Sequence, residues 1–231
     1  MFKKTIIIFS VIVLAILVAA AFWAYQQGYI FKKEIVLTPA KLLSSFIVSN
    51  INLTVEQTQL FQQRFNETKE ILQKEPDNFD KWLYLGVLKK GIGDYEGARD
   101  IFIYAGQLRP QSSTPFANLA DLYTYFLNDP LKAEENIKKA MANDPNDYNL
   151  YLSLADIYHY KFPERPGAYE QTMLDAIVKF PDNPNLIAPL AGYFRDTNQT
   201  KKAIQWYKEL LRFLPDNEEA KKDLGELEAK Q

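Results

Sequence analysis

Five prolines divide the chain at nearly equal intervals. They stand in Glu75-Pro76-Asp77-Asn78, Arg109-Pro110-Gln111-Ser112, Asp144-Pro145-Asn146-Asp147, Phe180-Pro181-Asp182-Asn183 and Leu214-Pro215-Asp216-Asn217, with successive separations of 34, 35, 36 and 34 residues. Proline stops a helix, and the Asn, Asp or Ser that follows it caps the next one. A period of this length belongs to a chain of stacked, similar units, each too small to bury its apolar face alone.

Between the prolines, apolar residues recur at helical spacing. The first unit carries Trp82, Leu85 and Gly86, then Ala98, Phe102 and Ala105. The second carries Phe116, Leu119, Ala120 and Tyr123, then Ala133, Ile137 and Ala140. The third carries Tyr151, Leu154, Ala155 and Tyr158, then Met173 and Ala176; the fourth carries Ile187, Leu190, Ala191 and Phe194, then Ala203, Tyr207 and Leu210. Small residues recur where helices approach closely, and large ones fill the gaps between them.

This spacing resembles the tetratricopeptide repeat, with its W-x2-L-G-x2-Y, A-x3-F and closing proline, over residues 79–217. The resemblance implies an all-α fold, a right-handed solenoid of helical hairpins. Its units are expected at 79–112, 113–147, 148–183 and 184–217. A degenerate helix at 54–75 precedes them and a capping helix at 218–230 follows, so the solenoid occupies 54–231. Thr54 and Gln57 have the spacing of a capping box. Leu224 and Leu227 give the last helix an apolar side. Lys89 stands where the first unit should carry an aromatic residue, so Lys89→Tyr is expected to be neutral or stabilising. The third unit lacks a clean A-x3-F. Pro189 falls inside the helix that Asn183-Pro184 would open, so that helix either starts late or bends.

The amino terminus has a different character. No charged residue stands between Lys4 and Lys32, and the run from Thr5 to Tyr25 is long enough to span a bilayer as a helix. Trp23, Tyr25 and Tyr29 follow as an interfacial belt would. A single transmembrane anchor at 1–27 is expected, with a connector at 28–53. The competing reading is a cleaved signal peptide ending at Ala19-Ala20-Ala21. Basic residues are nearly balanced across the apolar run. The short amino-terminal tail of a signal-anchor places the solenoid on the extracytoplasmic side. The apolar piece Leu42 to Val48 is either a juxtamembrane helix or a strip packed on the first unit.

Composition argues against chemistry. The chain has no cysteine and one histidine, which excludes thiolate nucleophiles, zinc-thiolate sites and multi-histidine metal sites. Its 27 basic and 29 acidic residues give a net charge of −2 and no general attraction to nucleic acid. P-loop, G-x-G-x-x-G and G-x-S-x-G motifs are missing. No enzyme activity, cofactor or metal is expected. His159 and the equivalent pair Asp121 and Asp156 are read as surface groups of the repeats.

The resembled family reads peptides from a concave groove lined by the first helix of each unit. The matching positions are Leu83, Val87 and Lys90; Ala117, Asp121 and Thr124; Leu152, Asp156 and His159; Ala188, Gly192 and Arg195. Tyr84, Tyr125 and Tyr160 lie off the packing positions and near that side. The candidate binding residues are Tyr84, Val87, Asn118, Asp121, Tyr125, Leu152, Asp156, His159, Tyr160 and Arg195. Part of the family clamps C-terminal carboxylates with Lys, Asn and Arg. Asp121 and Asp156 depart from that clamp and favour a neutral or basic segment with apolar anchors. The chain is similar to bacterial single-pass tetratricopeptide proteins that assist envelope assembly or export. A membrane-tethered interaction scaffold is therefore expected. The alternative is a constitutive subunit of a larger membrane complex.

Overall fold

The structure is a computed structural model that describes Ala19, residues 37–50 and residues 52–230. Apart from Ala19, the expected anchor at 1–27 lies outside the described residues. No helix among the described residues is long and apolar enough to cross a membrane. The chain divides after Thr38, and the unit from Pro39 onward carries the architecture.

A short helix α1 (Pro39–Leu42) is followed by α2 (Val55–Lys74). Four helical pairs come next: α3 (Phe79–Gly91) with α4 (Tyr95–Leu108), α5 (Thr114–Tyr125) with α6 (Pro130–Asn143), α7 (Tyr148–Lys161) with α8 (Ala168–Lys179), and α9 (Pro184–Asp196) with α10 (Thr200–Phe213). Helix α11 (Glu218–Glu228) closes the unit. Each pair packs most extensively within itself, and each second helix then meets the first helix of the next pair. The sparsest of these junctions is between α8 and α9.

The residues after the prolines start the helices as their chemistry demands. Asn78, Asp147, Asn183 and Asn217 each accept a hydrogen bond from a backbone N–H in the first turn of α3, α7, α9 and α11. This satisfies a donor that the helix itself leaves without a partner. Asp94 and Asp129 do the same for the second helices α4 and α6. The tight turns before α4, α6 and α10 reverse through left-handed residues, Gly93 (φ 82°), Asn128 (φ 49°) and Asn198 (φ 58°). The capping box at Thr54 is formed: its hydroxyl accepts from the Gln57 N–H, and the Gln57 side chain accepts from the Thr54 N–H.

Packing follows the alternation of small and large residues. Trp82 is fully buried, its indole N–H donates to the Pro76 carbonyl at 2.7 Å, and its ring meets Tyr104 edge-on at 4.8 Å. A Cβ placed on Gly86 would lie 2.5 Å from the Phe102 ring, so the α3–α4 crossing requires glycine there. One core cluster runs from Ala98 to Phe162 and a second from Ala155 to Leu227, so α7 contributes to both. Helix α9 does not start late: Pro184 is its first residue and Pro189 lies inside it.

One expectation about the first unit is corrected. The place of Lys89 is not a vacancy for an aromatic ring. Its ammonium is buried, donating to Asp94 at 2.6 Å and to the Ser45 carbonyl at 3.0 Å, beside the Phe65 ring. A tyrosine there would remove the only cation that pairs with the buried Asp94 carboxylate among the described residues. Leu42 and Leu43 are buried, Phe46 packs on Phe65 with ring centres 5.3 Å apart, and the N–H groups of Ser49 and Asn50 both donate to the Ile92 carbonyl. Residues 39–50 are thus a strap on the first unit, the second of the two readings for Leu42 to Val48.

Candidate functional site

The first helices α3, α5 and α7 bury one side through Trp82 and Leu85, Phe116 and Leu119, and Leu150 and Leu154. The remaining side stays open. Tyr84, Val87, Tyr125 and Tyr160 are 37%, 51%, 55% and 63% exposed. These are large apolar side chains that stacking leaves in water. Burial raises the pKa of the Tyr125 hydroxyl, and the nearby charges of Asp156 and Asp121 raise it further, with Tyr160 also in reach. Residues from two successive units therefore share one surface around Tyr125.

The other sequence candidates divide. Asp121 forms an ion pair with Lys90 of the preceding unit, so it bridges two repeats as well as facing the groove. Asn118 donates to the Thr114 carbonyl of its own helix at 2.9 Å. Leu152 is half-buried against the core of the third and fourth units. Arg195 turns toward the closing helix: its guanidinium bonds Asp223, the Tyr207 hydroxyl at 3.1 Å and Asp196 at 2.9 Å. Asp156 is half-buried, and burial raises its carboxyl pKa against the lowering effect of His159. Among the described residues its side chain has neither an ion pair nor a hydrogen bond.

Two clefts open on this face. A small one, about 60 Å³, lies between α5 and α7, with Asp121, Thr124, Tyr125, Ser153 and Asp156 in its walls. A larger one, about 290 Å³, lies at the loose junction before α9 and is lined by Asp156, His159, Tyr160, Tyr169 and Tyr193 among others. Asp156 stands in the wall of both. The Tyr169 and Tyr193 rings stack at 4.1 Å, and His159 meets Tyr160, Tyr169 and Tyr193 at 4.5, 5.4 and 5.5 Å.

Sequence reasoning missed Tyr169, Tyr193 and Glu134. A signal for Tyr193 was present: the same place in the earlier units holds Leu88, Leu122 and Ile157. Glu134 on α6 accepts from Lys138, from the Tyr158 hydroxyl on α7 and from Arg165 in the turn before α8. Burial alone would raise its carboxyl pKa, but these three donors outweigh it and hold it at about 2. This network orients α7, and with it the groove residues α7 carries.

No family model and no curated protein matches the chain. Solved structures do match. YrrB, described as a TPR protein with an unusual peptide-binding site, is 12% identical over 71% of this chain and 82% of its own, with a TM-score of 0.52. PilW, described as a widely conserved type IV pilus biogenesis factor, is 20% identical over 76% of this chain and 86% of its own, with a TM-score of 0.55. PilF of Pseudomonas aeruginosa is 19% identical over 66% of this chain and 68% of its own, with a TM-score of 0.52. Likenesses at these identities concern the fold: the helical pairs form a tetratricopeptide-type solenoid.

Proposed function

We propose that the chain is a membrane-tethered scaffold that holds a peptide, or a segment of a partner protein, along the face of its first helices. The observation that carries this reading is the run of open side chains Val87, Tyr125 and Tyr160, one from each of three successive units, beside Asp121 and Asp156. Aromatic and apolar anchors next to carboxylates suit a neutral or basic segment. The peptide-binding site in the description of YrrB is a precedent for such use of this fold.

Tethering rests on the apolar run from Thr5 to Tyr25, and the short amino-terminal tail before it supports an extracytoplasmic solenoid. An anchor raises the local concentration of whatever the groove holds near the bilayer. The description of PilW as a pilus biogenesis factor makes envelope assembly the favoured setting.

Capture of partners by the tagged full chain from native membranes tests the reading. A scaffold with an exchangeable ligand releases its partner as salt rises. Co-purification that survives high salt indicates a constitutive subunit instead. The anchor is tested separately: the full chain stays with membranes through carbonate washing, and a mature amino terminus at Phe22 would contradict it.

A further inference from the structure

We infer that the pocket before α9 receives one basic side chain, a lysine or an arginine, of the partner segment. This inference rests on the groove reading above. It comes from comparing the same two places in successive units. In the first and second units, Lys90 supplies the positive charge that Asp121 faces. One unit later the corresponding residues are Thr124 and Asp156. Thr124 carries no charge, and its buried hydroxyl donates to the Ala120 carbonyl of its own helix at 2.7 Å. Asp156 is thus a half-buried carboxylate whose repeat-equivalent cation is missing. Removing a charge from water without a partner is costly, and a bound cation would offset that cost.

The pocket walls suit the same ligand. Tyr160 is 63% exposed, and the stacked Tyr169 and Tyr193 rings also line the pocket. The Tyr169 hydroxyl donates to the Pro189 carbonyl at 3.3 Å and the Tyr193 hydroxyl to the Pro166 carbonyl at 3.1 Å, which holds both rings in place. Aromatic faces attract ammonium and guanidinium groups. Asp196 at the edge is already paired with Arg195, so Asp156 is the carboxylate left for a ligand, and among the described residues no lysine or arginine lines the pocket. The Arg195 guanidinium is taken up by Asp196, Asp223 and the Tyr207 hydroxyl. An anion would face the Asp156 carboxylate, and an uncharged apolar group would leave Asp156 without a partner.

The entrance is open for a structural reason. Where the earlier units carry Val87, Asp121 and Asp156, the fourth carries Gly192, and nothing lies within 4 Å of the place a Cβ would take. With about 290 Å³, the pocket has room for one long side chain and not for a folded element.

His159 is the only histidine of the chain, so its ring is a single reporter inside the pocket. The full chain, labelled with 13C on histidine and tyrosine rings, is titrated with acetyl-Gly-Gly-X-Gly-Gly-amide, where X is arginine, lysine or norleucine. The arginine and lysine peptides should shift the His159 signal saturably, and the norleucine peptide should not. Asp156→Asn should weaken binding about tenfold. Tyr160→Leu, at an exposed position that leaves folding intact, should weaken it about threefold. Equal binding of the norleucine peptide, an unchanged affinity in Asp156→Asn, or no binding of any peptide would overturn the assignment. If basic peptides move tyrosine signals elsewhere on the face and leave His159 still, this pocket is not the receptor, while the groove reading stands. Failure of the groove reading itself would show as no partner captured from native membranes.

Discussion

The Lys89 ammonium lies 2.6 Å from the Asp94 carboxylate, and the two side chains are only 3% and 10% exposed. Asp94 also accepts from the Gly97 N–H at the start of α4, while Lys89 donates to Ser45 in the strap. One lysine therefore joins the first helix, the cap of the second and the segment that precedes the repeats.

Lys89→Tyr should cost about 3–5 kcal/mol, because it strands a buried carboxylate. Lys90→Met, one residue on, breaks a pair that is partly open to water and should cost no more than about 1 kcal/mol. Urea unfolding of both variants at neutral pH checks the contrast. Equal costs would mean that burial of the Lys89–Asp94 pair makes no difference, and would contradict this account.

Glu134 gives a pH dependence of definite sign. Its carboxyl is held at about 2, against an ordinary value of 4.5. A depressed carboxyl stabilises the fold above its unfolded value and loses that contribution as pH falls through the folded one. The wild type should therefore lose stability between about pH 4.5 and pH 2 more steeply than Glu134→Gln. At neutral pH the variant should be less stable by about 1–3 kcal/mol, since Lys138 and Arg165 lose their charged acceptor. Melting midpoints of both proteins across the acid range measure this, and a gap that does not narrow with acid would contradict the network.

Asp156 has the opposite sign. Its folded pKa is raised, by burial and against His159, so its ionised form destabilises the fold and protonation relieves it. Asp156→Asn should raise the melting midpoint at neutral pH, and the gain should fade as the wild type becomes protonated in acid. His159 and Tyr160 on the same helix, Asp121 and Tyr125 on α5, Tyr169 on α8, and Tyr193 and Asp196 on α9 are the titratable groups that share its two clefts, and the substitution leaves them in place. A variant more stable yet weaker in peptide capture is what a binding carboxylate should give. A lower midpoint at neutral pH would mark Asp156 as structural.

The paired helices were legible because repetition states the same packing problem four times. Trp82, Gly86 and Phe102 were assignable from spacing, and Trp82→Ala should cost about 3–5 kcal/mol at a fully buried site. The role of Lys89 was not legible, because its acceptor at Ser45 lies 44 residues back in a stretch without periodicity. Tyr84, Tyr125 and Tyr160 could be read as open because they fall off the packing positions, and Val87 because it matches a groove position of the resembled family. The aromatic pocket could not be: Tyr169 and Tyr193 come from different units and meet where α8 and α9 pack loosely. The pairing of Arg195 with Asp223 was equally hidden, since a closing helix repeats nothing earlier in the chain.

The central claim is that the first-helix face is where a partner lies. A photoreactive amino acid placed singly at Val87, Tyr125 and Tyr160, and for comparison at Leu131 and Val178, tests it in native membranes. All five side chains are exposed, at 51%, 55%, 63%, 66% and 82%, so accessibility alone favours the comparison sites on α6 and α8. Adducts of one shared mass from Val87, Tyr125 and Tyr160, and none from Leu131 or Val178, are the expected result. Adducts from Leu131 and Val178 alone would place the partner on the second helices and contradict the account.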